Sequence, residues 1–590
     1  VRCASRPRPE SIRREKRQLT AAFFISVDEP VQQQVQVPFQ AERPRHRGIP
    51  LPPSGWTLAV LLVLYIFTGL IGHDPWKNDD AVTIGVVHDL VSNGNWLTPS
   101  LAGNPYPDAP LYYWVAAASA HLLSWLLPLH EAARLASGVF TLLALGCTLL
   151  AARELHDREQ APAAPLLLAG SIGFLFHAHE AQPMLATLTA HTAAYWGLTQ
   201  IDRRPLRGAC WFGSALGLGF LANGLAPMLP LLPVAAFVVW RSQHRQRSAL
   251  LLLGSLLLSC MLAGAWLAAL FATSPDYLAA FWQGELTQLS GSVQPLLSLQ
   301  RLLLMLPWYA WPALPLAGWT LWAKRRQLAT TPLALPMFAF LVALLVVSVW
   351  LGARSAPALL LLPPLVLLAV PGVTSLRRGA ANAFDWFGMI TFSFFAVLTW
   401  IAWCAMVFGW PARLAKQAVR LAPGFVGHFN VFAAGLALLA TLVWCWMIVT
   451  SPRSPMRGIM HWMSGLTLLW LLIATLWMPW IDYGKTYRQV SGSLSRALPE
   501  KRECIASANL ADSLLASLDY FDDIRTLPAK SIAGKRCDLL LVHGSAKDGN
   551  ISVAGGWRQI WEGGRPAERR DAEKLHLYRR EEGKKGPPGK

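Results

Sequence analysis

Apolar residues in this chain fall in long unbroken runs rather than in alternation. Thirteen stretches stand out: 56–72, 132–152, 163–178, 183–201, 209–222, 225–240, 249–272, 301–323, 332–351, 356–371, 386–410, 428–450 and 459–480. A helix needs about 20 apolar residues to cross a bilayer core, fewer when it is short or anchored at its ends. The pattern therefore predicts an all-α polytopic membrane body with about thirteen transmembrane helices. One further apolar stretch, 110–128, is broken by His121 and Pro128 and is rich in Tyr and Trp. It predicts either another span or a helix lying in the interface.

The pattern changes at both ends. After Ile481 the apolar runs shrink to strand length at 504–508 and 539–543, with a helical pattern at 509–518. This predicts a small α/β domain over 481–578, then a charged Gly/Pro tail over 579–590. Residues 1–55 carry Arg2, Arg6, Arg8, Arg13, Arg14, Lys16 and Arg17, a Gln run at 32–34, and no apolar core of signal-peptide length. They predict a disordered basic tail on the cytoplasmic side. The first Met is Met184, so Val1 reads as an alternative start or a misplaced one.

Composition narrows the class. Of 590 residues, 54% are hydrophobic and 15% charged, against about 25% charged in soluble proteins. A large soluble enzyme is excluded. With 27 Trp and 24 Phe, disorder is excluded over most of the length. The net charge of +18 invites a nucleic-acid reading, but no basic run alternates with polar aromatics on a soluble domain, so no nucleic acid is expected.

Placed loop by loop, the charge orients the chain. With the N-terminus inside and 110–128 not spanning, fifteen cations fall in one set of loops, among them Arg203, Arg241, Lys324, Arg378 and Arg453. The opposite loops hold Lys77, Arg354, Arg413, Lys416 and Arg420. That follows the positive-inside rule. Counting 110–128 as a span would break the alternation. The odd number of spans then puts the 481–578 domain on the periplasmic side of a bacterial inner membrane. Its two cysteines, Cys504 and Cys537, would there form a disulfide or stay as two buried thiols.

The outer face holds an acidic inventory. Its first loop, 73–131, carries Asp74, Asp79, Asp80, Asp89 and Asp108; later loops add His177, His179 and Glu180, then Asn223, then Asp276 and Glu285, then Arg354. Carboxylates at a membrane boundary are costly unless they serve a site. Because the basic loops lie on the other side, these acids are expected to lack simple salt-bridge partners. The densest signal is Trp76-Lys77-Asn78-Asp79-Asp80 before a helical stretch, 81–92. Adjacent acids at a helix start cap it and complement its dipole. Here they are followed by Gly94-Asn95-Trp96, Pro99, the run from Asn104 to Pro110 containing Tyr106 and Asp108, and Tyr112-Tyr113-Trp114. Two loop helices joined by a polar turn, each with acids at its start, point to a site.

This order of motifs resembles the GT-C membrane glycosyltransferases, among them the bacterial aminoarabinose transferases of lipid A and the protein O-mannosyltransferase superfamily. The likeness runs over about 56–545 and includes the run from Gly217 to Gly224, Pro307-Trp308, and Arg354 with the Leu-rich run into Pro363-Pro364. It implies transfer of a sugar from a polyprenyl-phosphate donor to a lipid A-like or other envelope acceptor, with membrane lipids as further partners. It also implies roles. Asp79, with Asp80 beside it and Glu180 on the second loop, is the expected catalytic acid group. Asp108, Tyr106, Asn223, Glu285 and Arg354 are expected to bind substrate. The His177-x-His179-Glu180 cluster offers ligands for a divalent cation or, alternatively, polar lining. Two positions depart from the family pattern: Ala109 and Asn223 stand where aminoarabinose transferases carry Lys. Neither can neutralise a phosphate, which leaves Arg354 for that task, with Lys77 and Arg301 as alternatives, and the sugar and acceptor open. The alternative readings are a lipid or small-molecule transporter and a non-catalytic paralogue. Against transport, no inverted repeat is visible and the acids cluster at one face rather than at mid-membrane.

Overall fold

The computed structural model describes residues 55–581 except 77, 292–293, 329–331, 501–502, 545–555 and 567–573. Residues 1–54 and 582–590, the greater part of the two expected tails, and Lys77 lie outside the described residues.

Every one of the thirteen predicted stretches is helical. Among the described residues seven helices are long and apolar enough to cross a membrane, from Leu129–Leu155 to the one beginning at Arg457, and Gly55–Phe67 and Ala226–Arg241 are shorter apolar helices. Other stretches are broken. The 163–178 run divides into Ala163–Ala169 and Ile172–Ala178, and 301–323 into Pro295–Tyr309 and Ala313–Ala323. Pro312 lies at the second break, where a residue without an N–H cannot continue the ladder. Such irregular backbone is tolerated at membrane depth only when surrounded by protein or lining a cavity. The chain is thus a multi-span helical membrane protein with a small C-terminal sheet region.

Burial sorts the helices into central and peripheral. In Pro357–Ser375, 89% of the apolar window is inside the protein; in Val431–Thr450 the share is 17%. A helix apolar on all sides with its surface uncovered belongs in lipid. Helix Leu111–Leu123 has 13 residues, about 20 Å at 1.5 Å per residue, short of the hydrocarbon core. It buries Tyr112, Tyr113, Ala116, Ala117 and Ala120. The amphipathic segment Ala412–Leu421, with Arg413, Lys416 and Arg420, has no buried residue.

The C-terminal region forms a five-stranded sheet in the order Leu527–Pro528, Ile505–Ala508, Leu539–His543, Leu575–Arg580, Trp557–Gly563. The first three strands are parallel and the last two antiparallel to their neighbours. Helix Asp512–Asp522 makes the crossover that a parallel pair requires. Cys504 and Cys537 are joined in a disulfide, so the alternative of two free thiols does not hold.

This region docks onto the first loop. Helix Asn78–Asn93 packs on Asp512–Asp522 so closely that a Cβ on Gly85 would sit 2.6 Å from the Cβ of Ala516. Asp74 accepts from Arg488 Nε and Thr486 Oγ, both at 2.8 Å. Arg525 donates to Asp519 at 2.8 Å and to Asp89 at 3.3 Å. The expectation that the first-loop acids lack salt-bridge partners is therefore corrected. Their cations come from the C-terminal region and from Arg134 inside a span, neither of which a loop-by-loop count includes.

Candidate functional site

A cavity of about 670 Å³ opens where six segments meet: the first loop, the short loop at 179–183, the end of helix Pro205–Asn223, helix Pro275–Leu289, the turn before Pro357–Ser375, and the start of helix Asp512–Asp522. Of the expected site residues, Asp79, Tyr106, Asp108, Asn223 and Arg354 line it.

Asp79 and Asp80 occupy the first turn of helix Asn78–Asn93. Successive helical residues point about 100° apart, so the two carboxylates part company. Asp79 is exposed to the cavity and accepts from Gln182 Nε2 at 2.9 Å. Asp80 turns into the protein. Arg134 grips it through Nε at 2.9 Å and Nη2 at 2.8 Å, and Ala181 N donates to it at 2.8 Å. Burial pushes the Asp80 carboxyl up, but the Arg134 guanidinium outweighs it and holds the group below the usual carboxylate range. Asp80 is thus placed as a buried structural anion and does not line the cavity, contrary to its expected catalytic placement.

Asp108 precedes helix Leu111–Leu123. Tyr113 Oη donates to its Oδ2 at 2.7 Å and Ala109 N to its Oδ1 at 2.8 Å. Burial pushes this carboxyl up despite both hydrogen bonds. The Tyr277 hydroxyl donates to the Tyr106 carbonyl at 2.8 Å, pinning the segment. The Tyr106 phenol is pushed up by its burial and by the negative charge of Asp108, Asp512 and Asp79. Arg354 is the one Lys or Arg among the described residues lining the cavity. It is exposed, on the irregular turn between Leu351 and Pro357.

Other expected residues fall outside the cavity lining. Glu285 is buried and accepts from Leu225 N at 2.7 Å. Gly224, at φ +72°, makes room for it: a Cβ there would collide with Glu285 Oε1. Glu285 therefore holds the turn after helix Pro205–Asn223, and burial pushes its carboxyl up. Glu180 is buried, with its carboxylate 3.9 Å from His177 Nδ1. The nitrogens of His179 sit against the carbonyls of Leu175 at 2.8 Å and Tyr65 at 2.7 Å, so both are engaged and neither is offered to a metal. The one metal-compatible cluster among the described residues is instead His88, Asp89 and Asp519, and Arg525 already supplies its positive charge.

Gln182, Gln288, Asp512 and Ser513 also line the cavity. Gln182 lies two residues beyond Glu180, and a polar residue on so short a loop is a usable signal. Asp512 and Ser513 come from a region more than four hundred residues downstream of Asp79; no local pattern announces them. Ala109 is buried beside Phe220, Trp266 and Phe281, and Asn223 Nδ2 lies 3.6 Å from Met184 Sδ.

A broken-helix membrane body with an acid-lined cavity under a small sheet region has the architecture of the GT-C class of membrane folds. The comparisons agree with that class. The chain is 30% identical over 251 residues to undecaprenyl phosphate-alpha-4-amino-4-deoxy-L-arabinose arabinosyl transferase 1 of Sodalis glossinidius, a match covering 39% of this chain and 43% of that one. To the transferase of the same name from Pseudomonas aeruginosa it is 27% identical over 445 residues, covering 71% and 75%. ArnT from Cupriavidus metallidurans, crystallised with undecaprenyl phosphate, superposes with a TM-score of 0.58 at 16% identity over 89% of this chain and 98% of that one. Its apo form gives 0.61 at 14%. No protein-family model matches the chain. The resemblance read from the sequence is borne out by these relatives and by the fold.

Proposed function

We propose that this protein is an inner-membrane glycosyltransferase that moves a sugar from a polyprenyl-phosphate donor to a lipid A-like or other envelope acceptor. The observation that carries the reading is the convergence of Asp79, Asp108, Tyr106, Asn223 and Arg354 on one cavity. The relatives' names supply the donor class, an undecaprenyl phosphate-linked aminopentose. A pentosyl transfer fits, and a hexosyl transfer fits the same chemistry.

In the reaction the bond from the anomeric carbon to the donor phosphate oxygen breaks, and one to an acceptor oxygen forms. Polyprenyl phosphate leaves with the electron pair, and Arg354 is the cation placed to hold its charge. If the acceptor is a hydroxyl, Asp79 takes its proton, with Gln182 fixing the carboxylate. If the acceptor is a phosphate, already ionised, Asp79 orients it. Asp108 and Tyr106 receive sugar hydroxyls or an amine. With Ala109 packed among aromatics and Asn223 neutral, Arg354 is the Lys or Arg among the described lining residues left for what the family's lysines would share.

The reading extends to topology: a membrane body over 56–480 and a periplasmic α/β domain over 481–578. The Cys504–Cys537 disulfide suits an oxidising compartment. The test is mass spectrometry of lipid A and envelope glycans from cells with and without the gene, and with Asp79→Asn. A modification present only with the unaltered gene is expected. An unchanged lipid and glycan profile in all three strains would sink the proposal.

A further inference from the structure

Helix Pro357–Ser375 has a second cavity at its other end. Arg354 and Pro357 line the acid-rich cavity at its start; Val373 and Thr374 line this one, of about 900 Å³, at its finish. Nineteen residues put roughly 30 Å between the two ends, the thickness of a hydrocarbon core. With this helix standing across the bilayer, the second cavity falls at the head-group level of the opposite leaflet.

Its lining is cationic. Among the described residues, Arg378, Arg453 and Arg457 face it with a single carboxylate, Asp385. That carboxylate is already committed, to Arg457 Nε at 3.1 Å and to the buried His461. Among the described residues Arg378 and Arg453 have no ion-pair partner. Two helices begin here, Arg378–Phe408 and Arg457–Leu472, neither with a side-chain cap, so the positive ends of their dipoles add to the charge. An anion is the complement of such a cavity.

The wall tells which anion. Trp386 lines the cavity and is 62% exposed; Ile390 and Phe394, each one turn further along the same helix face, are both 61% exposed. A soluble phosphate would use the arginines alone; the stripe lies on a span only 28% buried and faces lipid in any case. A phospholipid would use both, its head group among the arginines and an acyl chain along the stripe. Basic pockets between membrane helices bind anionic head groups in this way. We propose that this cavity is a binding site for an anionic phospholipid, with Arg378 and Arg453 on the phosphate and Trp386, Ile390 and Phe394 along the chain. The site is separate from the sugar-transfer cavity and does not depend on that reading.

The experiment uses the full chain in vesicles of phosphatidylglycerol and phosphatidylethanolamine, followed by native mass spectrometry of the lipid retained. Arg378→Gln with Arg453→Gln is expected to reduce retained phosphatidylglycerol about tenfold or more. The control pair Arg325→Gln with Arg326→Gln is expected to retain it as the unaltered chain does. Equal retention in both pairs would overturn the proposal. A second measurement needs no variant: a photoactivatable phosphatidylglycerol should label the peptide 378–394, and labelling elsewhere without it would also overturn the proposal. Titration of the lipid-stripped protein with inorganic phosphate separates the sources. Weak, unsaturated binding supports the lipid; tight, saturable binding of inorganic phosphate would contradict it.

Discussion

The two ends of helix Pro357–Ser375 carry opposite chemistry. Among the described residues, one end opens on Asp79, Asp108 and Asp512 with Arg354 as the one Lys or Arg; the other opens on Arg378, Arg453 and Arg457 with Asp385 as the one acid. The same core thus separates an acidic cavity from a basic one by the width of a bilayer. A net charge of +18 for the whole chain conceals this division. The lone opposite charge at each end also differs in kind. Asp385 is spent in ion pairs, whereas Arg354 stands exposed at the cavity. A committed counter-ion belongs to the scaffold; an exposed one is available to a ligand.

The largest effects should come from the adjacent acids Asp79 and Asp80. Asp79→Asn is expected to lower the rate of transfer by about 10²–10⁴-fold for a hydroxyl acceptor, measured as sugar transferred per amount of purified protein, with thermal unfolding unchanged. A loss of only about tenfold would instead mark a phosphate acceptor that Asp79 orients. Arg134→Met leaves the Asp80 carboxylate buried without its partner, and should cost about 3–5 kcal/mol of stability. Pairing it with Asp80→Asn should recover part of the loss, read by thermal unfolding in detergent. If Asp80→Asn alone cuts transfer as deeply as Asp79→Asn at unchanged stability, the division between the two acids is wrong.

Smaller effects probe the contact that brings Asp512 to the acidic cavity. Gly85→Val should push helix Asn78–Asn93 off Ala516 and cost about 1–3 kcal/mol, visible as a lower unfolding temperature. Arg525→Gln removes a guanidinium that is 45% exposed, so about 1 kcal/mol or less is expected. A loss well beyond that would show that Asp89 and Asp519 depend on Arg525 more than their exposed partner suggests.

The helices were readable from the sequence because a bilayer requires each spanning segment to satisfy its own backbone within an apolar run. The strands at 505–508 and 539–543 were readable for the same reason of patterning. Five cavity residues were readable through the order of motifs. What stayed hidden is pairing across distance. Arg134 lies 54 residues from Asp80, and Arg525 lies 436 from Asp89, so a count of charges by loop assigns neither as a partner. Glu285 looked like a site acid because its backbone partner at Leu225 is sixty residues away. His179 looked like a ligand because only the fold reveals the carbonyls against its ring.

The central claim is that Arg354 holds a polyprenyl phosphate at the acidic end. Its most direct test is the binding of undecaprenyl phosphate to the purified chain. Arg354→Gln should weaken that binding about 10–100-fold, as expected for a lost charge-assisted hydrogen bond, while Arg378→Gln with Arg453→Gln leaves it unchanged. Undecaprenyl phosphate that binds Arg354→Gln as tightly as the unaltered chain, or that is lost with the opposite pair, would contradict the account.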